Sequence, residues 1–294
     1  MKILLLGPDG QLGYELRPLL SALGEVRAIS RTELDMKDLA GLRDVLARER
    51  PRVIVNATAY NEVDKAETDT GSALSINRDA VLTMGEYAKR DGAALLHYST
   101  DFVFDGTKGA PYVETDRTNP LSAYGKSKLA GEQALAGIDA PAIVFRTAWV
   151  YSLRRKSFVS MIHRLAREKK ELRIVRDQIG SPTFCRDLAR ASAVLVARLG
   201  KDPGEKATEH RGVYHAAGED SCSRYELATA VIELDPNRDE HVVETVEPAT
   251  TDAFPAPARR PGNAPLDCEK LSTTFRIRLM PWRLALAEAL GSRL

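Results

Sequence analysis

The chain has 294 residues, 44% of them apolar and 28% charged, the ordinary make-up of a globular protein with one large domain or two modest ones. With 42 Lys and Arg against 41 Asp and Glu the net charge is +1, so no global field draws it to nucleic acid or anionic lipid, and partners have to be recognised locally. Its apolar runs fall far short of the ~20 residues of a membrane span, and the scattered Cys185, Cys222 and Cys268 make a poor disulfide framework. The expectation is a soluble, cytoplasmic protein with no membrane and no nucleic-acid partner.

The run Lys2 to Leu6 reads as a strand broken by Gly7-Pro8-Asp9-Gly10, after which Leu12, Leu16, Leu19, Leu20 and Leu23 recur at helical spacing. The rhythm continues with Val26–Ile29 as strand, Leu39–Leu46 as helix, Val53–Val55 as strand, a long helix over Ala73–Ala88 and Ala94–Tyr98 as strand. A helix over Tyr124–Leu135 and a strand at Ala142–Phe145 extend it. Such alternation predicts an α/β fold, a Rossmann-type doubly wound parallel sheet with helices on both faces. The dinucleotide-binding domain is expected over residues 1–150. A smaller, loop-rich C-terminal substrate-binding lobe is expected over 151–294, with segments free to cross between the two. In that second part come a basic helix after Ser152, the turn-rich Asp177–Thr183, a helix from about Asp187 and a Pro-rich stretch from Glu247 to Pro265.

Gly7, Gly10 and Gly13 form G-x-x-G-x-x-G between the first strand and helix, where residues without Cβ let backbone N–H groups approach a pyrophosphate at the helix N-terminus. At the end of the second strand, where an acidic residue would hold the ribose of NAD, stand Ser30 and Arg31. They point to the 2′-phosphate of NADPH, with NADH as the alternative if Arg31 merely lies in solvent. Asp35 is placed to hold the adenine or ribose end.

Tyr124 and Lys128 sit at i and i+4, on one helical face. A phenol with its ordinary pKa near 10 is a reluctant acid at neutral pH, and a neighbouring ammonium is expected to lower that value. Ser99-Thr100-Asp101 follows a strand at the carboxyl end of the sheet, where ligands bind in open α/β folds, and Thr100 can offer its hydroxyl to the same carbonyl oxygen. The five histidines show no paired ligand spacing, so no metal ligand is assigned. The basic Arg154-Arg155-Lys156 reads either as a diphosphate contact or as a solvated loop.

With these motifs in view, the chain resembles the extended short-chain dehydrogenases and, within them, the dTDP-4-dehydrorhamnose reductases. The likeness rests on Gly7 to Gly13, on Asn56-Ala57-Thr58-Ala59-Tyr60 with Val63-Asp64-Lys65-Ala66-Glu67, and on Ser99 to Gly106. It extends to Tyr124 to Glu132, Arg146-Thr147-Ala148-Trp149-Val150-Tyr151 and Gly180-Ser181-Pro182-Thr183. The resemblance implies catalytic Thr100, Tyr124 and Lys128. It implies cofactor contacts at Gly10, Gln11, Leu12, Asp35, Met36, Thr58, Ala59 and Tyr60, joined by Tyr124 and Lys128. It places Thr100, Asp101, Phe102, Trp149, Thr183 and Arg260 toward the substrate, although Trp149 by itself reads as core. The chain departs from the group's pattern at Phe102, where Tyr is usual, at Asn61, where Thr is common, and at Ala264, which replaces Ser after Arg260-Pro261-Gly262-Asn263.

The expected reaction is NADPH-dependent reduction of the C4 ketone of a nucleotide-linked 4-keto-6-deoxy sugar, giving dTDP-L-rhamnose. The rivals are another nucleotide-sugar 4-ketoreductase, an epimerase, or a non-catalytic NADP-binding regulatory subunit. Some members of the group hold Mg²⁺ at a dimer contact through a glutamate matching Glu15. The partner carboxylates are not matched here, which leaves Mg²⁺ and a homodimer open.

Overall fold

The computed structural model describes residues 1–291. The β-branched and leucine-rich runs become β1 (Lys2–Leu6), β2 (Glu25–Ile29), β3 (Val53–Asn56), β4 (Ala94–Thr100) and β5 (Ala142–Thr147). With Gly212–His215 they form a six-stranded sheet in the order Gly212–His215, β5, β4, β3, β1, β2, parallel throughout. The strand order reverses between β1 and β3, so the carboxyl ends of these strands open a crevice at the switch point. β3 and β4 are buried along their whole length, as expected for central strands covered on both faces.

The helices are α1 (Gln11–Ser21), α2 (Leu39–Glu49), α3 (Thr70–Leu74), α4 (Ala80–Asp91), α5 (Ala123–Gly137), α6 (Phe158–Glu168), α7 (Cys185–Arg198), α8 (Pro203–Glu209), α9 (Arg224–Leu234), α10 (Glu269–Phe275) and α11 (Trp282–Leu290). On one face α1 packs against α7, joining Leu16 and Leu20 to Leu188, Leu195 and the sheet's Leu5 and Val55. On the other, α2, α4 and α5 bury Leu42, Leu46, Met84 and Leu135 against Leu4, Ile54 and Val144. The sixth strand, α7 and the segment around residues 271–279 come from beyond residue 151 and pack with the sheet, so the chain crosses the boundary expected there repeatedly. A separate core of Tyr151, Val159, Ile162, Leu172, Phe184, Leu227, Val231 and Trp282 forms around α6 and α9.

Two local readings change. The single helix expected over Ala73–Ala88 is α3 and α4 separated by a π-helical turn at Ser75–Asp79. α5 approaches so closely that a Cβ at Gly131 would lie 2.1 Å from the Asn77 carbonyl oxygen, and the widened turn accommodates that approach. The Pro-rich stretch from Glu247 begins inside a strand, Thr245–Ala249, paired in parallel with Glu171–Val175. Pro248 is tolerated because the ribbon has only two strands and one edge needs no donor.

Candidate active site

The glycine turn is built as the spacing demands. Gly7 has φ +82°, and a Cβ on Gly13 would sit 2.0 Å from the Gly7 carbonyl oxygen, so neither position accepts a side chain without rearrangement. Gly10 caps α1 with its backbone, leaving no side chain between the first amides of the helix and an incoming phosphate. These residues fit a dinucleotide's pyrophosphate.

Next to this turn lies a cleft of about 1200 Å³, lined by Gly10, Gln11, Leu12, Thr58 and Ala59 and by Thr100, Asp101, Phe102, Tyr124, Lys128, Trp149 and Arg260. The structure thus brings most of the expected site residues together. Gly7, Gly13 and Tyr60 do not line the cleft. Tyr60 has its hydroxyl on Asp69 at 3.2 Å and its backbone held by Asn77 at 2.9 and 3.2 Å. Ser30, Arg31, Asp35 and Met36 lie beyond the cleft at the end of β2, Met36 buried in the core beneath. Thr183 does not reach the cleft: it is fully buried, with its hydroxyl between the Ser181 carbonyl and the Gly218 amide.

Tyr124 opens α5, whose first turn is fixed twice. The Ser122 hydroxyl accepts the Gly125 amide at 3.1 Å, and the Glu67 carboxylate accepts the Ala123 amide at 2.8 Å. Phe102 meets the phenol ring edge-on with centroids 5.5 Å apart, an apolar contact where the usual Tyr would place a hydroxyl. Lys128, one turn on, is buried and donates to the Tyr98 carbonyl at 2.6 Å.

The expected acidification of Tyr124 by Lys128 needs correction. Burial pushes the phenol up to about 12, with a hydrogen bond to Thr100 pulling the other way and the Asp101 charge adding to the rise. Burial also presses Lys128 down to about 8, with Glu132 opposing. Desolvation outweighs the ammonium because Lys128 is committed to a backbone carbonyl rather than aimed at the phenol. Asp101, buried beside them, is raised by burial to about 6 and accepts the Thr100 hydroxyl at 3.0 Å.

Several residues that hold this geometry carried no individual signal in the sequence. Glu132, one turn beyond Lys128, accepts the Ser99 hydroxyl and a two-pronged pair from Arg146 at 3.0 and 2.6 Å, with all three groups buried. The network ties α5 to the ends of β4 and β5. Asn77 reaches the Ser127 hydroxyl at 2.9 Å and so joins the Tyr60 loop to the same helix. Asp64 pairs with Arg260 at 2.8 Å, and that guanidinium holds its carboxyl below the usual range. Trp149 adopts φ +45°, rare for a bulky residue. Its ring lies against Gly180, where a Cβ would come within 2.6 Å. The resemblance had placed Trp149 toward the substrate, whereas Gly180 stood inside a matched motif with no role of its own.

The basic segment Arg154-Arg155-Lys156 borders the cleft beside Asp9 and Gly10, with the Arg154 guanidinium 3.3 Å from the Tyr14 ring centroid. It therefore faces the glycine turn. Glu15 pairs with Arg186 at 3.0 Å, and no cluster of three or more His, Cys, Asp or Glu among the described residues is placed to hold a metal. No helix among the described residues is long and apolar enough to cross a membrane.

A sequence model of the RmlD substrate binding domain family matches residues 1–293. The dTDP-4-dehydrorhamnose reductase of Burkholderia thailandensis is 41% identical over 288 residues, spanning 97% of this chain and 96% of the relative. The crystal structure of a dTDP-4-dehydrorhamnose reductase from Clostridium acetobutylicum superposes with a TM-score of 0.88 at 33% identity, covering 99% of each chain. That of Bacillus anthracis in complex with NADP also gives 0.88, at 29% identity over 99% of this chain and 98% of the other.

Proposed function

The chain belongs to the RmlD substrate binding domain family, that of the dTDP-4-dehydrorhamnose reductases, and on that premise we propose that it reduces the C4 ketone of dTDP-4-dehydrorhamnose to dTDP-L-rhamnose. The observation that carries the reading is the convergence of Thr100, Tyr124 and Lys128 on one cleft that also contains the glycine turn.

NADPH, bound along that turn, supplies the hydride. The chain's residues supply the proton and the orientation. Tyr124, with its phenol raised to about 12, is fully protonated at neutral pH and donates its proton to the alkoxide oxygen developing at C4. A high phenol pKa suits this direction, since an acid for reduction must carry its proton until the oxygen becomes strongly basic. The Thr100 hydroxyl orients the carbonyl. Lys128, fixed by its bond to the Tyr98 carbonyl, would hold the cofactor's ribose. Trp149 and Asp101 border the space for the sugar, with Phe102 and Arg260 beside them. The family and its NADP-bound relative support NADPH as the cofactor. The nucleotide sugar is the partner we assign.

The test is incubation of the purified chain with NADPH and dTDP-4-dehydrorhamnose, following nicotinamide absorbance and identifying the product by its stereochemistry. Stoichiometric NADPH oxidation with dTDP-L-rhamnose formed is expected. Oxidation with a different C4 configuration would transfer the chain to another 4-ketoreductase. No oxidation, with both ligands shown to bind, would favour a regulatory subunit.

A further inference from the structure

Beside the cleft lies a second groove of about 750 Å³, lined by Phe158, Met161, Gln178, Thr251 and Arg259 among others. Arg224 and Arg260 border both spaces and so mark their junction. The two arginines differ in their surroundings. Arg260 has its charge matched by Asp64 at 2.8 Å and donates to the Ala258 carbonyl at 3.0 Å. The Arg224 guanidinium takes part in no described hydrogen bond or ion pair. It lies between two aromatic rings, 3.5 Å from the Trp149 centroid and 4.8 Å from that of Phe158.

Such stacking fixes the plane of a guanidinium while leaving its edge of N–H donors unoccupied. Burial presses Arg224 down to about 10, with Asp101 attracting it at longer range and Arg260 repelling it. A desolvated cation with free donors calls for an anion of matching geometry. In a nucleotide-linked sugar the group between the sugar, whose C4 must reach Tyr124, and the nucleoside, which needs a second space, is a diphosphate.

We propose that Arg224 binds the diphosphate of the nucleotide-linked sugar, held in register by Trp149, and is a specificity-determining residue for diphosphate-linked substrates. The proposal rests on the function assigned above. It gives Trp149 a second task, since its ring orients a phosphate-binding guanidinium as well as bordering the sugar.

The experiment measures binding of dTDP and of thymidine, by calorimetry, to the full chain preloaded with NADPH. The wild-type chain should favour dTDP over thymidine by about a hundredfold. Arg224→Gln should remove most of that increment and leave thymidine binding and NADPH affinity unchanged. Arg224→Lys, which keeps the charge but not the flat fork, should retain part of it. If Arg224→Gln no longer binds NADPH, the lysine variant decides. Arg259→Gln is the control, and an increment lost there and kept in both Arg224 variants would overturn the proposal. In turnover, Arg224→Gln should raise KM about ten- to a hundredfold with kcat within a few-fold. A wild-type chain that binds dTDP but reduces no ketone would sink the functional reading alone, while normal turnover with an unchanged KM in Arg224→Gln would sink this one alone.

Discussion

The two walls of the cleft are made differently. The inner wall, with Thr100, Tyr124 and Lys128, stands on strand ends and one long helix cross-tied by buried polar groups: Lys128 to Tyr98, Glu132 to Ser99 and Arg146, Asn77 to Ser127. The outer wall, with Trp149, Arg224 and Arg260, stands on loops and a helix start, held by ring stacking and one partly exposed ion pair. Groups that must meet a reacting atom within a fraction of an ångström are locked by networks in which each member satisfies another. Groups that grip a long ligand need less constraint, and adjustable contacts serve them. Substitutions on the inner wall should therefore act on kcat or on folding, and those on the outer wall on KM.

The largest effect expected is that of Tyr124→Phe. It keeps the ring and its contact with Phe102 but removes the proton, so kcat should fall by about 10²–10⁴ while NADPH still binds. Near-normal turnover across pH would break the division at its centre. The pH profile of the wild-type chain sharpens it. Lys128, pressed down to about 8, loses its charge as pH rises through that value, whereas the phenol keeps its proton to about 12. Reduction should decline above about pH 8 and hold steady just below. A decline beginning only near pH 10 would assign the limb elsewhere.

Glu132→Gln should show the inner wall's other cost. The Arg146 guanidinium would be left buried without a counter-charge, for a loss of about 3–5 kcal/mol in denaturant unfolding. Unchanged stability with a collapse of kcat would place Glu132 in the chemistry and not in the scaffold.

This contrast also explains what could be read from the sequence. Strands β1 to β5, the glycine turn and the Tyr124/Lys128 face follow from short-range rules: a period of two or of 3.6, a glycine where no Cβ fits, an i, i+4 pair. The π turn at Ser75–Asp79 depends on α5, some 50 residues away, pressing Gly131 onto Asn77, and no local pattern announces that. Strand Gly212–His215 is a short run whose partner, β5, lies far back in the chain. Arg224 carried no signal because its meaning comes from Trp149, 75 positions earlier. The acidity of Tyr124 went the other way from expectation, since spacing shows that two groups share a face but not how deeply they are buried.

On the outer wall, Asp64→Asn should leave folding and kcat nearly intact. It removes the charge that neutralises Arg260, a partly exposed pair of the kind worth about 1 kcal/mol. KM should shift by less than about tenfold. A fall in kcat beyond that would show Asp64 to be coupled to the inner wall.

The smallest effect lies outside both walls, at the end of β2, where cofactor choice is set. Arg31 is exposed, as a residue reading a 2′-phosphate can be, but its neighbour Ser30 is already engaged. The Glu33 carboxylate accepts both the Ser30 amide and its hydroxyl at 3.1 Å and pairs with Arg27 at 2.7 Å. A carboxylate there repels a 2′-phosphate and competes for the serine that would hold it, so the pull of Arg31 is partly cancelled. The ratio of kcat/KM for NADPH over NADH should then be modest, within about tenfold, as for one exposed charge contact. Glu33→Gln should raise the ratio and Arg31→Ala lower it, each by a few-fold and at constant kcat, because neither residue lies on the cleft. If Glu33→Gln instead lowers the ratio, the carboxylate is organising the turn for the phosphate, and the opposition argued here between Glu33 and Arg31 is wrong in sign.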